Sequence, residues 1–163
     1  MTNNTVITRD VPNKKLHVTR AFNAPVEKVW KSWTDAGLLD KWWAPKPWRA
    51  ETKKLDFSAG GSWLYAMIGP DGTTAWCKLE YLEIVPGQYF TSLNIFCDEN
   101  GQANPDFPVM HWTVRFQATN TGSSVGVEIR FDKEADLNRI VDMGFEAGFT
   151  MGLGNLEVLL AGQ

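Results

Sequence analysis

Residues 134–161 carry apolar side chains at helical spacing, with no proline to interrupt them. The apolar positions are Leu137, Ile140, Val141, Phe145, Phe149, Leu153, Leu156 and Leu160. This spacing predicts one helix of up to about seven turns, which is long for a globular domain. Glycine recurs within it, although each glycine costs up to about 1 kcal/mol relative to alanine in a helix. Glycines on one side of a helix let another backbone approach or leave space above a sheet.

The middle of the chain alternates apolar and polar residues, which is typical of strands with one buried face. The predicted strands cover residues 5–21, 48–57, 63–68, 73–85, 88–97, 109–119 and 123–132. Turn segments separate neighbouring strands at residues 58–61, 69–72, 86–87 and 120–122. Short turns of this kind join antiparallel strands, so the sequence predicts an antiparallel sheet.

Two short helices are predicted directly after the first strand. Pro25 suits the first position of a helix, and apolar residues follow it at helical spacing. These residues are Val26, Val29, Trp30 and Trp33. The second helix covers residues near 36–43 and ends in the pair Trp42 and Trp43. Pro45 and Pro47 prevent its continuation.

This order of elements is that of an α+β fold. We predict a curved antiparallel sheet that grips one long C-terminal helix, with the two short helices closing one end. No linker or internal repeat is visible, so residues 1–163 are expected to form a single domain. A long helix touches a strongly curved sheet mainly at its rim, and we therefore expect an incompletely filled space between them.

Charge and composition argue against several classes of function. A net charge of −3 is unlike the basic surface that nucleic-acid binding requires. No apolar run approaches the roughly 20 residues that span a bilayer, and the N-terminus does not resemble a signal peptide. We therefore expect a cytoplasmic protein, a monomer or homodimer, without a membrane partner. His17 and His111 are the only histidines and no Cys-x-x-Cys pair occurs, so we expect no metal and no other cofactor.

Several segments in a fixed order resemble one known family. They are APVEKVWKSWTD at 24–35, LDKWWAP at 39–45, GGSW at 60–63, GPDG at 69–72, YLEIVP at 81–86 and GFEAGF at 144–149. Together they resemble the START-like superfamily, also called SRPBCC, Bet v 1-like or helix-grip. Within it the chain looks like the family named after the activator of heat-shock protein 90 ATPase. The resemblance implies the same fold, but not one function, because this scaffold carries ligand binders, cyclases, lipid carriers and a co-chaperone domain.

Strand alternation and helix spacing predict which side chains line the space below the C-terminal helix. The candidates are Trp42, Trp43, Trp63, Tyr65, Met67, Trp112, Val114, Met143, Ala147 and Met151. A concave apolar space with few polar groups is the usual form of a small-molecule site, whereas close packing without a cavity is the alternative. Tyr65 is the best polar anchor for a ligand, although protein or water more often satisfies a buried phenol.

Three functions are compatible with the sequence. The favoured hypothesis is a binding protein for a small hydrophobic or aromatic molecule, without covalent chemistry. The second is a chaperone-associated module that acts through its surface, as the family resemblance implies. The third is an enzyme of cyclase or hydrolase type that uses Tyr65 or His111. No catalytic motif is visible, so an enzyme is the less favoured expectation and we assign no catalytic residue.

Overall fold

The computed structural model describes residues 5–162 and contains one antiparallel sheet. Its strands are β1 (Val6–Asp10), β2 (Lys15–Phe22), β3 (Arg49–Leu55), β4 (Ser62–Ile68), β5 (Thr74–Val85), β6 (Tyr89–Cys97), β7 (Met110–Thr119) and β8 (Gly122–Arg130). They lie in the order β1-β2-β8-β7-β6-β5-β4-β3. The helices are α1 (Val26–Thr34), α2 (Ala36–Trp42), α3 (Glu134–Asp142) and α4 (Phe145–Ala161). The predicted α+β architecture, with an open antiparallel sheet and a C-terminal helix, is confirmed.

The segment predicted as one first strand forms two strands, β1 and β2, which pair as a hairpin. A tight turn separates them, in which the amide of Lys14 donates to the carbonyl of Val11 at 3.0 Å. Lys14 has a φ of 60°, and the Asp10 carboxylate accepts a hydrogen bond from the Asn13 side chain at 2.9 Å. The two short helices therefore follow the second strand of the sheet, not the first.

The predicted helix over residues 134–161 is interrupted once. Gly144 has φ 87° and ψ 20°, in the left-handed region, and separates α3 from α4. A residue with a side chain adopts this conformation only at a cost of about 1–2 kcal/mol, so glycine suits the break. The two helices have independent rotational phases, because the chain leaves helical geometry between them. The prediction of one continuous helix is wrong at this position.

The C-terminal end of α2 packs against one side of helix α4. At Gly152 an added Cβ would lie 3.1 Å from the carbonyl oxygen of Trp43, so a glycine allows this close approach. Asn155 Nδ2 donates to the carbonyl oxygens of Ala44 at 3.1 Å and Trp42 at 3.4 Å. Trp42 is the last residue of α2 and Ala44 lies just beyond it, and carbonyls at the end of a helix need partners from outside it. Another backbone thus approaches the C-terminal helix closely at a glycine, as the glycine pattern predicts.

Two arginine–glutamate pairs connect α4 to the sheet. Arg20 of β2 is 1% exposed and its Nη2 lies 2.6 Å from Glu157 Oε1. Arg9 of β1 lies on the surface and its guanidinium contacts the Glu146 carboxylate at 2.7 and 2.8 Å. The first pair holds the C-terminal half of α4 and the second holds its beginning, so the helix is anchored at two points along the sheet.

One continuous hydrophobic core fills most of the space between the sheet and the helices. Its centre includes Leu16 of β2, Val114 of β7 and Leu156 of α4, each fully buried. No helix within residues 5–162 has both the length and the apolar character that a membrane span requires.

A candidate ligand cavity

A cavity of about 270 Å³ lies between the sheet and helices α3 and α4, and it is partly open to solvent. The sheet contributes Tyr65, Met67, Cys77, Asn94, Met110 and Trp112 to its wall. The helical side contributes Trp43, Ile140, Met143, Phe145, Gly148 and Phe149. Aromatic and aliphatic groups therefore form most of the surface. This is the space that the sequence predicts below the C-terminal helix.

The structure brings half of the predicted lining residues together on this wall. They are Trp43, Tyr65, Met67, Trp112 and Met143. Met143 is 51% exposed and lies where the cavity opens to solvent. A role of these side chains in binding stays a prediction.

Trp42, Trp63 and Val114 are predicted lining residues that belong instead to the solid core. Each is at most 1% exposed and none lies on the cavity wall. The indole of Trp42 donates from Nε1 to the Ser32 carbonyl at 2.9 Å, which fixes it below α1. The indole of Trp63 stacks on Tyr65 with ring centroids 4.1 Å apart. Strand alternation correctly places Trp63 and Val114 on the inner face, but close packing covers this part of that face.

Ala147 and Met151 lie on the outer side of α4, away from the cavity. They border a shallow groove with Thr150 and Gly154, and Met151 is 46% exposed. Their assignment as lining residues is therefore corrected. The assignment placed Ala147 and Met151 on the same face of one continuous helix as Ile140 and Met143. The break at Gly144 gives α4 a different rotation about its axis. In α4 it is Phe145, Gly148 and Phe149 that face the cavity.

Tyr65 is buried in the wall and has protein partners. Trp43 Nε1 donates a hydrogen bond to its hydroxyl at 2.9 Å, and the hydroxyl also interacts with the Cys77 thiol. Burial is the main reason why the pKa of Tyr65 lies well above its ordinary value, and burial raises the pKa of Cys77 to about 12. Both groups are thus protonated at neutral pH, and the thiol is a poor nucleophile. Protein groups therefore make the hydrogen bonds of the Tyr65 hydroxyl, which is the alternative to Tyr65 as an anchor for a ligand.

Asn94 is a polar wall residue that the sequence reasoning missed. It is 5% exposed and accepts a hydrogen bond at Oδ1 from Ser92 Oγ at 2.7 Å. Ser92 and Asn94 share the inner face of β6 with Phe90, which is 1% exposed. Alternation along this strand was a usable signal, because Phe90, Ser92 and Asn94 stand two residues apart. A polar pair on a buried face is unusual and needs hydrogen-bond partners.

His111 does not contribute to the cavity, although its neighbours Met110 and Trp112 do. Successive strand residues point to opposite faces, and His111 Nε2 lies 3.5 Å from the exposed carboxylate of Asp132. Of the two residues named for a cyclase or hydrolase, Tyr65 lies on the cavity wall and His111 does not, and the enzyme alternative stays a hypothesis. Within residues 5–162 no three histidine, cysteine or acidic side chains cluster in a way that could hold a metal ion.

Solved structures of bacterial proteins share this fold. Protein Ms6760 from Mycobacterium smegmatis is 28% identical with a TM-score of 0.89, and the match covers 96% of each chain. A protein from Arthrobacter aurescens is 26% identical with a TM-score of 0.91, over 97% of this chain and 92% of that one. A protein from Staphylococcus epidermidis is 28% identical with a TM-score of 0.84, over 96% and 93%. No curated protein matches the chain.

The family assignment rests on a match that covers most of the chain. The family model described as "Activator of Hsp90 ATPase homolog 1-like protein" matches residues 23–161, from the strand end before α1 to the last residue of α4. This span contains both short helices, the C-terminal helix and every residue named above on the cavity wall. With its eight-stranded sheet and C-terminal helix, the chain has the helix-grip fold and belongs to the Activator of Hsp90 ATPase homolog 1-like family.

Proposed function

We propose that this protein binds one small hydrophobic or aromatic molecule, reversibly and without covalent chemistry, in the cavity between the sheet and the C-terminal helix. The cavity itself is the observation that carries the proposal. Its volume of about 270 Å³ lies near the lower limit of the roughly 300–1,000 Å³ typical of ligand pockets. An apolar protein cavity of about 150 Å³ accommodates benzene. A compound of two fused rings is therefore a suitable occupant.

The wall favours an aromatic occupant. The ring centroids of Trp112 and Phe149 are 5.4 Å apart, and Trp43 lies 6.1 Å from Trp112 and 6.2 Å from Phe149. These rings pack against one another at steep or tilted angles, and each also lines the cavity. Aromatic pairs are attractive in edge-to-face or offset arrangements at centroid distances of about 4.5–7 Å. A guest ring beside this cluster could make further contacts of the same kind.

The protonation of the wall supports binding over covalent reaction. The Cys77 thiol, with a pKa of about 12, contributes almost no thiolate at neutral pH, and the thiolate is the nucleophilic form. Tyr65 is held by Trp43 and Cys77, so its hydroxyl is occupied by neighbours inside the protein. Neither of these two polar groups of the wall is thus suited to attacking a guest.

Gly148 provides a direct test of the cavity. It lies on the wall, and an added Cβ would meet only Pro45 Cγ, at an ordinary 3.7 Å. We expect Gly148→Leu to fill part of the cavity and to weaken binding of 2-acetylnaphthalene at least about tenfold, a change of 1.4 kcal/mol in binding free energy. Isothermal titration calorimetry measures the affinity. Thermal unfolding checks that the variant keeps its fold. We expect it to do so, because replacing a helical glycine removes a cost of up to about 1 kcal/mol.

Gly148→Ala is the matched control for this experiment. It adds a single methyl group at the same position and improves helix propensity in the same direction. We expect its affinity to stay within about threefold of the original protein, a difference below 1 kcal/mol. Equal affinities for all three proteins, or no binding of any apolar aromatic compound to the original protein, would count against a ligand in this cavity.

The family description motivates a second candidate, a module that acts on a chaperone of the Hsp90 class through its surface. This function would depend on exposed side chains and not on the cavity. We expect such an activity to survive Gly148→Leu, whereas the binding function would not. Measurement of Hsp90 ATPase turnover with the original protein and with this variant separates the two candidates. No effect of the original protein on turnover would remove the chaperone hypothesis.

A further inference from the structure

The cavity contains a hydrogen-bond donor that the protein leaves free. Ser92 Oγ donates to Asn94 Oδ1 at 2.7 Å, which occupies the oxygen of the amide and fixes its orientation. The structure gives Asn94 Nδ2 no partner among residues 5–162. Asn94 is 5% exposed and lies on the cavity wall. An amide donor on the wall of a partly open cavity, without a protein partner, is available to an acceptor on a bound molecule.

A second unused donor lies on the neighbouring strand. Trp112 is 3% exposed and lines the same cavity, and its Nε1 has no hydrogen-bond partner in the described part of the chain. In the β6–β7 register Trp112 is opposite Ser92, and Asn94 is opposite Met110. Trp112 and Asn94 are therefore diagonal neighbours on one face, and such positions are about 7–8 Å apart, within reach of long side chains. Trp112 Nε1 is enclosed by neighbouring atoms, so the Asn94 amide is the donor of this pair that a guest can reach.

The wall that residues 5–162 form provides no unpaired charge beside this spot. Lys78 is the one residue of that described wall with a formal charge, and its Nζ is 2.9 Å from Glu80 Oε2. Tyr65 and Cys77 remain neutral, as described above. A carboxylate or phosphate placed here would lose its hydration without gaining a cation. An uncharged acceptor, in contrast, would satisfy the free Asn94 donor at little desolvation cost.

From these observations we infer that the ligand is an uncharged aromatic molecule with a hydrogen-bond acceptor, such as a ketone oxygen, which receives the amide of Asn94. This inference rests on the proposed function and adds the chemical class of the molecule. Asn94 selects the acceptor, while Ser92 orients the amide and acts as a positioning residue. The aromatic rings around the cavity bind the rest of the molecule without regard to its polar group.

Two compounds of the same shape test the inference. 2-Acetylnaphthalene carries a carbonyl oxygen, and 2-isopropenylnaphthalene has a methylene group in its place. Asn94→Leu replaces the amide by a side chain of similar size. We expect it to weaken binding of the ketone about fivefold to tenfold, which corresponds to the loss of one hydrogen bond, and to leave the alkene equal or tighter. Calorimetric titration gives the ratio of the ketone affinity to the alkene affinity for each protein. Comparing this ratio between the original protein and Asn94→Leu removes the effect of the different hydrophobicity of the two compounds.

A double variant keeps the test valid if Asn94→Leu is unstable, since that change leaves the Ser92 hydroxyl without its acceptor. Ser92→Ala with Asn94→Leu removes both polar groups, and an apolar replacement of both partners is usually tolerated.

Two further measurements use the original protein. The nuclear magnetic resonance signals of the Asn94 side-chain amide should shift when the ketone binds and not when the alkene binds. We expect 2-naphthoate to bind at least tenfold more weakly than the ketone at pH 7.

The outcomes separate this inference from the proposed function. If both neutral compounds bind and their affinity ratio is unchanged in Asn94→Leu and in the double variant, the role of Asn94 is overturned and the binding function stands. If 2-naphthoate binds as tightly as the ketone, the ligand is not restricted to uncharged molecules. If neither neutral compound binds to the original protein, the proposed function itself fails and the inference fails with it.

Discussion

Replacing Trp42 by alanine is expected to lower the free energy of unfolding by about 4 kcal/mol, in the range found for large aromatic residues in protein cores. The side chain is 1% exposed, and its ring lies 5.0 Å from that of Trp33 and 5.3 Å from that of Trp43. The change would leave a large void between α1 and α2 and would also remove the hydrogen bond to the Ser32 carbonyl. Urea unfolding monitored by far-ultraviolet circular dichroism measures the loss independently of tryptophan fluorescence.

Two variants control this prediction. Trp42→Phe keeps a ring in the cluster but removes the indole donor, and we expect a loss of about 2 kcal/mol from the smaller ring and the unpaired carbonyl. Trp43→Ala removes the adjacent indole, which is only partly buried and lies on the cavity wall. It should cost less stability than Trp42→Ala and should weaken ligand binding. Equal losses of stability for the two alanine variants would contradict the separate roles of this tryptophan pair.

Removing Glu157 is expected to be the most damaging change at a charged residue. Glu157→Ala leaves the guanidinium of Arg20 buried, with a hydrogen bond to the Ala21 carbonyl at 2.8 Å. Among residues 5–162 the Arg20 Nε already lacks a hydrogen-bond partner. Breaking a buried ion pair on one side typically costs 3–5 kcal/mol. Because the Glu157 side chain is 33% exposed, we expect about 3 kcal/mol, at the lower end of that range. Chemical denaturation measures it.

The surface pair of Arg9 and Glu146 is the matched control, since it also joins a strand to α4. Its arginine is 52% exposed, and exposed ion pairs contribute little to stability. Glu146→Ala should therefore cost much less than Glu157→Ala. The double variant Arg20→Met with Glu157→Leu should recover most of the stability, because apolar residues of similar size often replace a buried pair well. A double variant as unstable as Glu157→Ala would show that burial of an unpaired charge is not the cause.

The elements that sequence reasoning located well are those with a simple local pattern. Strand alternation placed Tyr65, Met67 and Trp112 on one inner face, and Pro45 marked the end of α2. The break at Gly144 was missed because apolar spacing stays regular on both sides of it. A single residue in the left-handed region changes the phase of a helix without changing its composition. The positions of Ala147 and Met151 were wrong for the same reason.

Buried polar residues were the second class that the sequence did not reveal. Arg20 and Asn94 occupy inward positions of alternating strands, but a charged or amide side chain at such a position usually indicates the solvent face. Their environment depends on distant partners. Glu157 is 137 residues from Arg20 in the chain, and the cavity beside Asn94 is enclosed by helices that follow the sheet. Only the assembled fold brings these groups together, so a local pattern cannot identify them.

The methionine side chains allow the most direct test of where a ligand binds. Met67 and Met143 lie on the cavity wall, whereas Met151 lies on the outer side of α4. With selectively labelled methionine methyl groups and bound 2-acetylnaphthalene, nuclear Overhauser effects report contacts between ligand protons and each methyl group. We predict contacts to Met67 and Met143 and none to Met151. Contacts to Met151 without contacts to Met67 would show that the ligand occupies the outer surface, and would contradict binding between the sheet and the C-terminal helix.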